Sequence, residues 1–307
     1  MRLLDTTTLE LKEFIEAPGP YAILSHRWTD GEITFKEYRK DHDKVEHRPG
    51  YAKIVDRCRV SRQRGFRWTW IDTCCIDKRS SAKLSEATNS MYHWYSGARE
   101  SYVWLDDYQP GDRSSLSGCE WSQRGWTLQE LLAPACVIFF IAEWKVIGHK
   151  HYDYKGPCRC QDRQRPGSYM DEWGPDIVAE LASITGVPRS CLFMRTPIDS
   201  ESVATRMSWA SGRSTTREED CAYSLLGLFA INMPLLYGEG KQAFQRLQEE
   251  IIRTSDDSSI FCSRRENGPS SFLLATNPDD FVHCRSRHIM LGVVDSQEPY
   301  SITNRGL

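Results

Sequence analysis

The residues best suited to chemistry stand in one stretch, Ser122-Gln123-Arg124-Gly125-Trp126-Thr127-Leu128-Gln129-Glu130-Leu131-Leu132-Ala133-Pro134. It predicts a short helix, opened at Ser122 and Gly125 and closed before Pro134. Trp126 and Glu130 are four residues apart, so indole and carboxylate share a helical face. Leu128, Leu131 and Leu132 are left to anchor the helix on a core. A carboxylate beside a large aromatic on an anchored helix suits the stabilisation of a cationic transition state. The plainer reading of the same spacing makes Glu130 a solvated face residue and Trp126 core. Spacing alone leaves both open.

Strands and helices must bring other groups to this carboxylate. Residues 21–26 form an apolar run between turn signals and predict a buried strand, followed by the loop Arg27-Trp28-Thr29-Asp30-Gly31. Residues 68–72 are aromatic and β-branched and predict a second strand, which runs into Asp72-Thr73-Cys74-Cys75-Ile76-Asp77. Residues 101–105 predict a third, ending at Asp106-Asp107; residues 137–141 and 144–147 predict two more. Helical periods fall between them at 51–65 and 84–95. The alternation predicts an α/β fold with a mainly parallel sheet flanked by helices. Ligands of such sheets collect at the carboxyl ends of the strands, where the three polar loops would converge. Asp72 is a candidate binding residue there, or holds its own turn.

The remainder divides by composition. Residues 1–20 read as an extended leader, 21–150 as the α/β core and 151–176 as a polar surface insertion. Residues 177–255 predict a helical extension, with helices at 177–184, 203–210, 218–229 and 240–253. Residues 256–307 are polar with short strand-like pieces at 271–274 and 289–294, and read as a truncated C-terminal region. Acidic Glu218-Glu219-Asp220 is a helix start rather than a metal site.

The chain has 307 residues, 40% hydrophobic and 26% charged, enough for a sizeable core and unlike a disordered chain. A net charge of −3 gives no general attraction to nucleic acid or anionic membrane. The basic run Arg57, Arg59, Arg62, Arg64 and Arg67 reads as a solvated helix face. The longest apolar run, residues 135–142, is far short of a membrane span, and no signal-peptide core opens the chain. A cytoplasmic protein is expected, with its 11 cysteines as reduced thiols. Cys158-Arg159-Cys160 has the wrong spacing for a zinc knuckle, and no metal site is expected. Cys74 and Cys75 have no histidine placed near them in sequence, so they read as inert core thiols rather than nucleophiles.

Residues 21–28 (YAILSHRW), 70–78 (WIDTCCIDK), 124–134 (RGWTLQELLAP) and 215–240 (TTREEDCAYSLLGLFAINMPLLYGEG) together resemble fungal heterokaryon-incompatibility (HET) domain proteins. The resemblance implies a role in non-self recognition between fungal strains that ends in programmed cell death. HET domains in turn resemble Toll/interleukin-1 receptor (TIR) domains, which implies a TIR-like, flavodoxin-like sheet. Some TIR domains cleave NAD at the nicotinamide–ribose bond through a Glu in a helix that starts Trp-Cys-x-x-Glu. Here Trp126 and Glu130 match, with Thr127 in place of the Cys.

On that resemblance Glu130 is the catalytic residue, NAD the substrate, and no cofactor is required. Ser25 donates near the ribose, Trp28 or Trp126 stacks on the pyridinium, and Arg27 or Arg124 pairs with the pyrophosphate. Arg124 has an alternative in Asp106 or Asp107, and Trp28 an alternative in the core. Self-association or an incompatibility partner protein is the interaction implied. The competing expectation is a non-enzymatic signalling and assembly module that recruits a death effector, in which Glu130 is structural.

Overall fold

The computed structural model describes residues 1–40, 42–109, 115–151, 173–264 and 273–285. The chain forms two compact units, Met1–Trp121 with Glu130–Ile177, and Ser122–Gln129 with Val178–Leu307.

The first unit is built on a seven-stranded sheet: β1 (Arg2–Asp5), β2 (Leu11–Glu13), β3 (Tyr21–His26), β4 (Trp68–Trp70), β5 (Glu100–Trp104), β6 (Cys136–Ile141) and β7 (Lys145–His151). Their spatial order is β2-β1-β4-β3-β5-β6-β7. The central four, β4-β3-β5-β6, run parallel, whereas β1, β2 and β7 pair antiparallel. The sheet is therefore mixed, not mainly parallel as alternation predicted. Parallel neighbours need a long crossover, and only the central strands have one. Short turns join β1 to β2 and β6 to β7, which forces those pairs antiparallel. Residues 1–20, expected as an extended leader, supply β1 and β2, with Leu3 and Leu4 wholly buried.

Register fixes which side chains share a face. Leu24 lies beside Tyr102 and His26 beside Trp104, while Ile23 lies beside Trp70 and Ser25 beside Val103. The helix Pro49–Gln63 covers the first face: its Arg57 guanidinium lies 3.7 Å from the Tyr102 ring centre. The helix Ser81–Gly97 covers the second, where Tyr95 meets Trp70 edge-on at 5.9 Å. Ser80 caps that helix by accepting the Lys83 amide, a bond whose loss costs about 1 kcal/mol.

The arginine run is a solvated face only in part: Arg59, Arg62 and Arg67 are exposed, but the other two are not. Arg57 is fully buried, Arg64 meets Glu100 at 2.6 Å, and Arg67 meets Asp5 at 3.1 Å. Arginine stems bury readily when the fork finds an aromatic face or a carboxylate.

The second unit contains the helices Val178–Thr185, Val203–Ser208 and Gln242–Thr254, as its periodicity predicted. The single helix expected over 218–229 is instead two short ones, Asp220–Tyr223 and Leu226–Phe229, and Ala230 ends the second in a left-handed conformation at φ 54°. Glu219 accepts the backbone amides of Gly238 and Gly240 at 2.7 and 3.1 Å. The turns Ser258–Cys262 and Pro278–Cys284 belong to this unit. Asp257 and Ser259 accept the first amides of the Val203–Ser208 helix, from Val203 and Ala204 at 2.6 and 3.0 Å. Most of the insertion at 151–176, with Cys158 and Cys160, lies outside the described residues, as do the strand-like piece at 289–294 and residues 300–307. None of the nine described cysteines forms a disulfide. Among the described residues no helix is long and apolar enough to cross a membrane.

Candidate functional site

The predicted helix over 122–133 is broken in two. A short helix, Glu120–Gln123, ends where Arg124 pairs with Ser214 as a β-bridge, and a second, Thr127–Leu132, begins after Trp126. The Gly125 amide donates to Ser214 O at 2.9 Å. A Cβ at Gly125 would come within 2.6 Å of Thr215 Cγ2, so any larger residue forces that side chain to shift. Trp126 stands immediately before the second helix and Glu130 within it. Trp126 and Arg124 lie in the 122–129 stretch of the second unit, while Glu130 belongs to the first. Leu128, Leu131 and Leu132 are buried, as anchoring leucines should be.

Glu130 meets Ser25 instead. The Ser25 hydroxyl donates to Glu130 Oε2, and Trp121 Nε1 donates to the same Ser25 oxygen at 2.7 Å. Indole can only donate, so the hydroxyl proton is directed at the carboxylate. Trp121 in turn packs edge-on to Phe139 of β6, ring centres 5.5 Å apart. Tyr95 completes the group: its hydroxyl donates to Leu24 O at 2.8 Å. Burial, and then the charge of Glu130, push its pKa far above the usual phenol value. Ser25 is wholly buried and Glu130 half-buried, so the carboxylate is held from the protein side and keeps some access to solvent.

The three loops expected to converge at the carboxyl ends of the strands do so. Arg27 reaches Asp106 at 2.5 Å and Glu120 at 2.8 Å, and those two bonds raise its pKa further. Trp28 Nε1 donates to Asp72 Oδ2 at 2.6 Å, and the Lys78 ammonium lies 3.4 Å from its ring centre. Asp107 accepts the Glu120 amide at 2.8 Å. Asp72 is thus a loop-tying acceptor and is not confined to its own turn.

On the face of His26 lies a second polar group that sequence reasoning did not single out. His26 sits 3.7 Å from Glu32 and 3.8 Å from Asp72, and Lys53 closes an ion pair with Glu32. His26, Glu32 and Lys53 are all buried. Burial works against the charge of Glu32, but His26 and Lys53 outweigh it and hold its carboxyl at about 2. Trp121 and Tyr95 were also missed as site residues. Tyr95 carried a faint signal, since a tyrosine in a buried helical stripe needs a partner for its hydroxyl. Trp121 carried none, because its bond to Ser25 spans 96 residues. Cys74 and Cys75 are buried, and the bond to Cys75 together with burial raises the Cys74 thiol well above its usual value, as befits core thiols.

Residues 21–117 match the family described as "Heterokaryon incompatibility protein (HET)". The chain is 38% identical over 268 residues to the vegetative incompatibility protein HET-E-1 of Podospora anserina, across 82% of this chain and 18% of that protein. It therefore spans less than a fifth of that relative's length. No solved structure matches at a significant level.

Proposed function

Because the chain is a heterokaryon incompatibility (HET) domain protein, we propose that it acts in fungal non-self recognition and triggers cell death by hydrolysing NAD. The observation that carries this reading is the bond from Ser25 to Glu130 at the carboxyl end of β3, with Trp121 fixing the serine. The strand order β4-β3-β5-β6 supports a flavodoxin-like, TIR-like ancestry, since the first of these strands in the chain, β3, lies inside the order and neighbours the third, β5. In that topology ligands bind where the order reverses, next to Ser25.

The chemistry suits a single carboxylate. The nicotinamide of NAD is already cationic and leaves neutral when its bond to ribose C1′ breaks, so no general acid is needed, in contrast to glycosidases with two carboxyl groups. Positive charge then grows on the ribose, and Glu130 offsets it. Water adds at C1′ and loses a proton, which yields ADP-ribose and nicotinamide. Ser25 orients the carboxylate. Arg27 serves a pyrophosphate by exchanging Asp106 or Glu120 for phosphate oxygens. Trp28 stacks on a pyridinium on moving Lys78 aside, and Asp72 keeps Trp28 in place.

The test is NAD consumption by purified protein, free and artificially clustered, in wild type and Glu130→Gln. Consumption by clustered wild type that the variant lacks supports hydrolysis and self-association as the trigger. No consumption by either leaves the chain as a non-enzymatic assembly module.

A further inference from the structure

Lys150, on β7, is wholly buried, and its ammonium meets backbone rather than a carboxylate: Nζ donates to Leu131 O at 2.7 Å and to Pro134 O at 2.9 Å. These carbonyls flank the turn that leads from the helix carrying Glu130 into β6. A helix end presents unpaired carbonyls with partial negative charge, which a lysine satisfies well. The register pairs Lys150 with Val137, the second residue of β6. The side chain therefore bridges the strand's start and fastens the turn from the sheet side. We infer that Lys150 is a positioning residue, which clamps the end of the Glu130 helix and sets that carboxylate against Ser25 through a hold linked to one buried amine.

Burial lowers the amine's pKa to about 7. The titratable group of β6 whose charge acts on it is the Cys136 thiol next to Val137, itself raised by burial. His149 and His151 flank it on β7 and alternate to the other face, and Glu130 on the clamped helix is engaged with Ser25. The sign of the pH effect follows from linkage. An opened turn returns the amine to water and its ordinary pKa of 10.5, so protonation favours opening. The clamp therefore tightens as pH rises above about 7, because the neutral amine still donates to both carbonyls without a buried charge.

This inference rests on the hydrolase reading only for its functional consequence, and two readouts separate them. The first is hydrogen exchange of residues 130–136 in the whole protein. Wild-type protection factors should rise up to about tenfold per pH unit between roughly pH 7 and 9, while Lys150→Met should show at least about tenfold lower protection at the high-pH end and no such rise. Equal protection in the two proteins, or a wild-type profile flat with pH, overturns the clamp. If Lys150→Met fails to fold, the wild-type pH series decides alone. The second readout is NAD turnover by clustered protein. Absence of turnover in wild type sinks the hydrolase reading and leaves the exchange result standing. Turnover that survives Lys150→Met at wild-type kcat overturns the role in placing Glu130.

Discussion

Two polar groups lie on opposite faces of the same sheet, one residue apart along β3. On one face Ser25 donates to Glu130, Trp121 donates to Ser25, and Tyr95 feels the charge of Glu130 while its hydroxyl donates to Leu24 O. On the other, His26, Lys53 and Lys78 stand against Glu32 and Asp72, and Trp28 bonds Asp72. The second arrangement pairs the buried carboxylate of Glu32 with the buried ammonium of Lys53, which is what a fold needs to keep charge inside. The first orients a half-buried carboxylate through one neutral hydroxyl that an indole holds in place, which is what a reacting group needs. The contrast teaches that the more conspicuous charge cluster is the structural one, and the quieter group is the candidate for chemistry.

That contrast can be broken. Lys53→Met leaves Glu32 buried without its lysine and should destabilise the first unit by about 3–5 kcal/mol, read by denaturant unfolding. A loss near zero would mean the cluster does not hold the fold. A smaller effect of the same origin comes with acid. Glu32 has its folded pKa lowered from 4.5 to about 2. Its stabilisation is therefore present above pH 4.5 and fades as pH falls toward about 2, by at most about 3 kcal/mol. An acid unfolding series should show that share missing in Glu32→Gln.

Ser25→Ala sharpens the other side: it removes the donor to Glu130 and should slow NAD hydrolysis about 10- to 100-fold, a larger effect on turnover than on stability, where one buried bond is worth about 1–2 kcal/mol. Lys78→Met marks the lower bound. Lys78 is 41% exposed, and loss of its contacts with Asp72 and the Trp28 ring should cost no more than about 1 kcal/mol, read as a shift in the thermal midpoint.

The sequence made some of this legible. β3, β5 and β6 stand where their apolar runs end in turn signals, because burial on both faces writes itself into composition. The convergence of the loops after β3, β4 and β5 followed from strand order alone, whereas the pairing of Arg27 with Asp106 did not. Strand direction at the edges was not legible, since periodicity carries no sign. Nor was the broken helix: the bridge from Arg124 to Ser214 is set by a partner 90 residues away, and local propensity over 122–133 favours continuity. The same holds for Trp121 and Lys150, whose roles depend on distant backbone and hydroxyl groups that no local pattern announces.

The most direct test is nicotinamide release from NAD by clustered protein, with wild type, Glu130→Gln and Lys53→Met compared under one condition and each checked for folding. Wild type should release nicotinamide, Glu130→Gln should fall by about 10³-fold with its unfolding midpoint kept, and Lys53→Met should lose stability in preference to turnover per folded molecule. Equal release by wild type and Glu130→Gln, or none from folded, clustered wild type, would contradict the assignment of chemistry to Glu130.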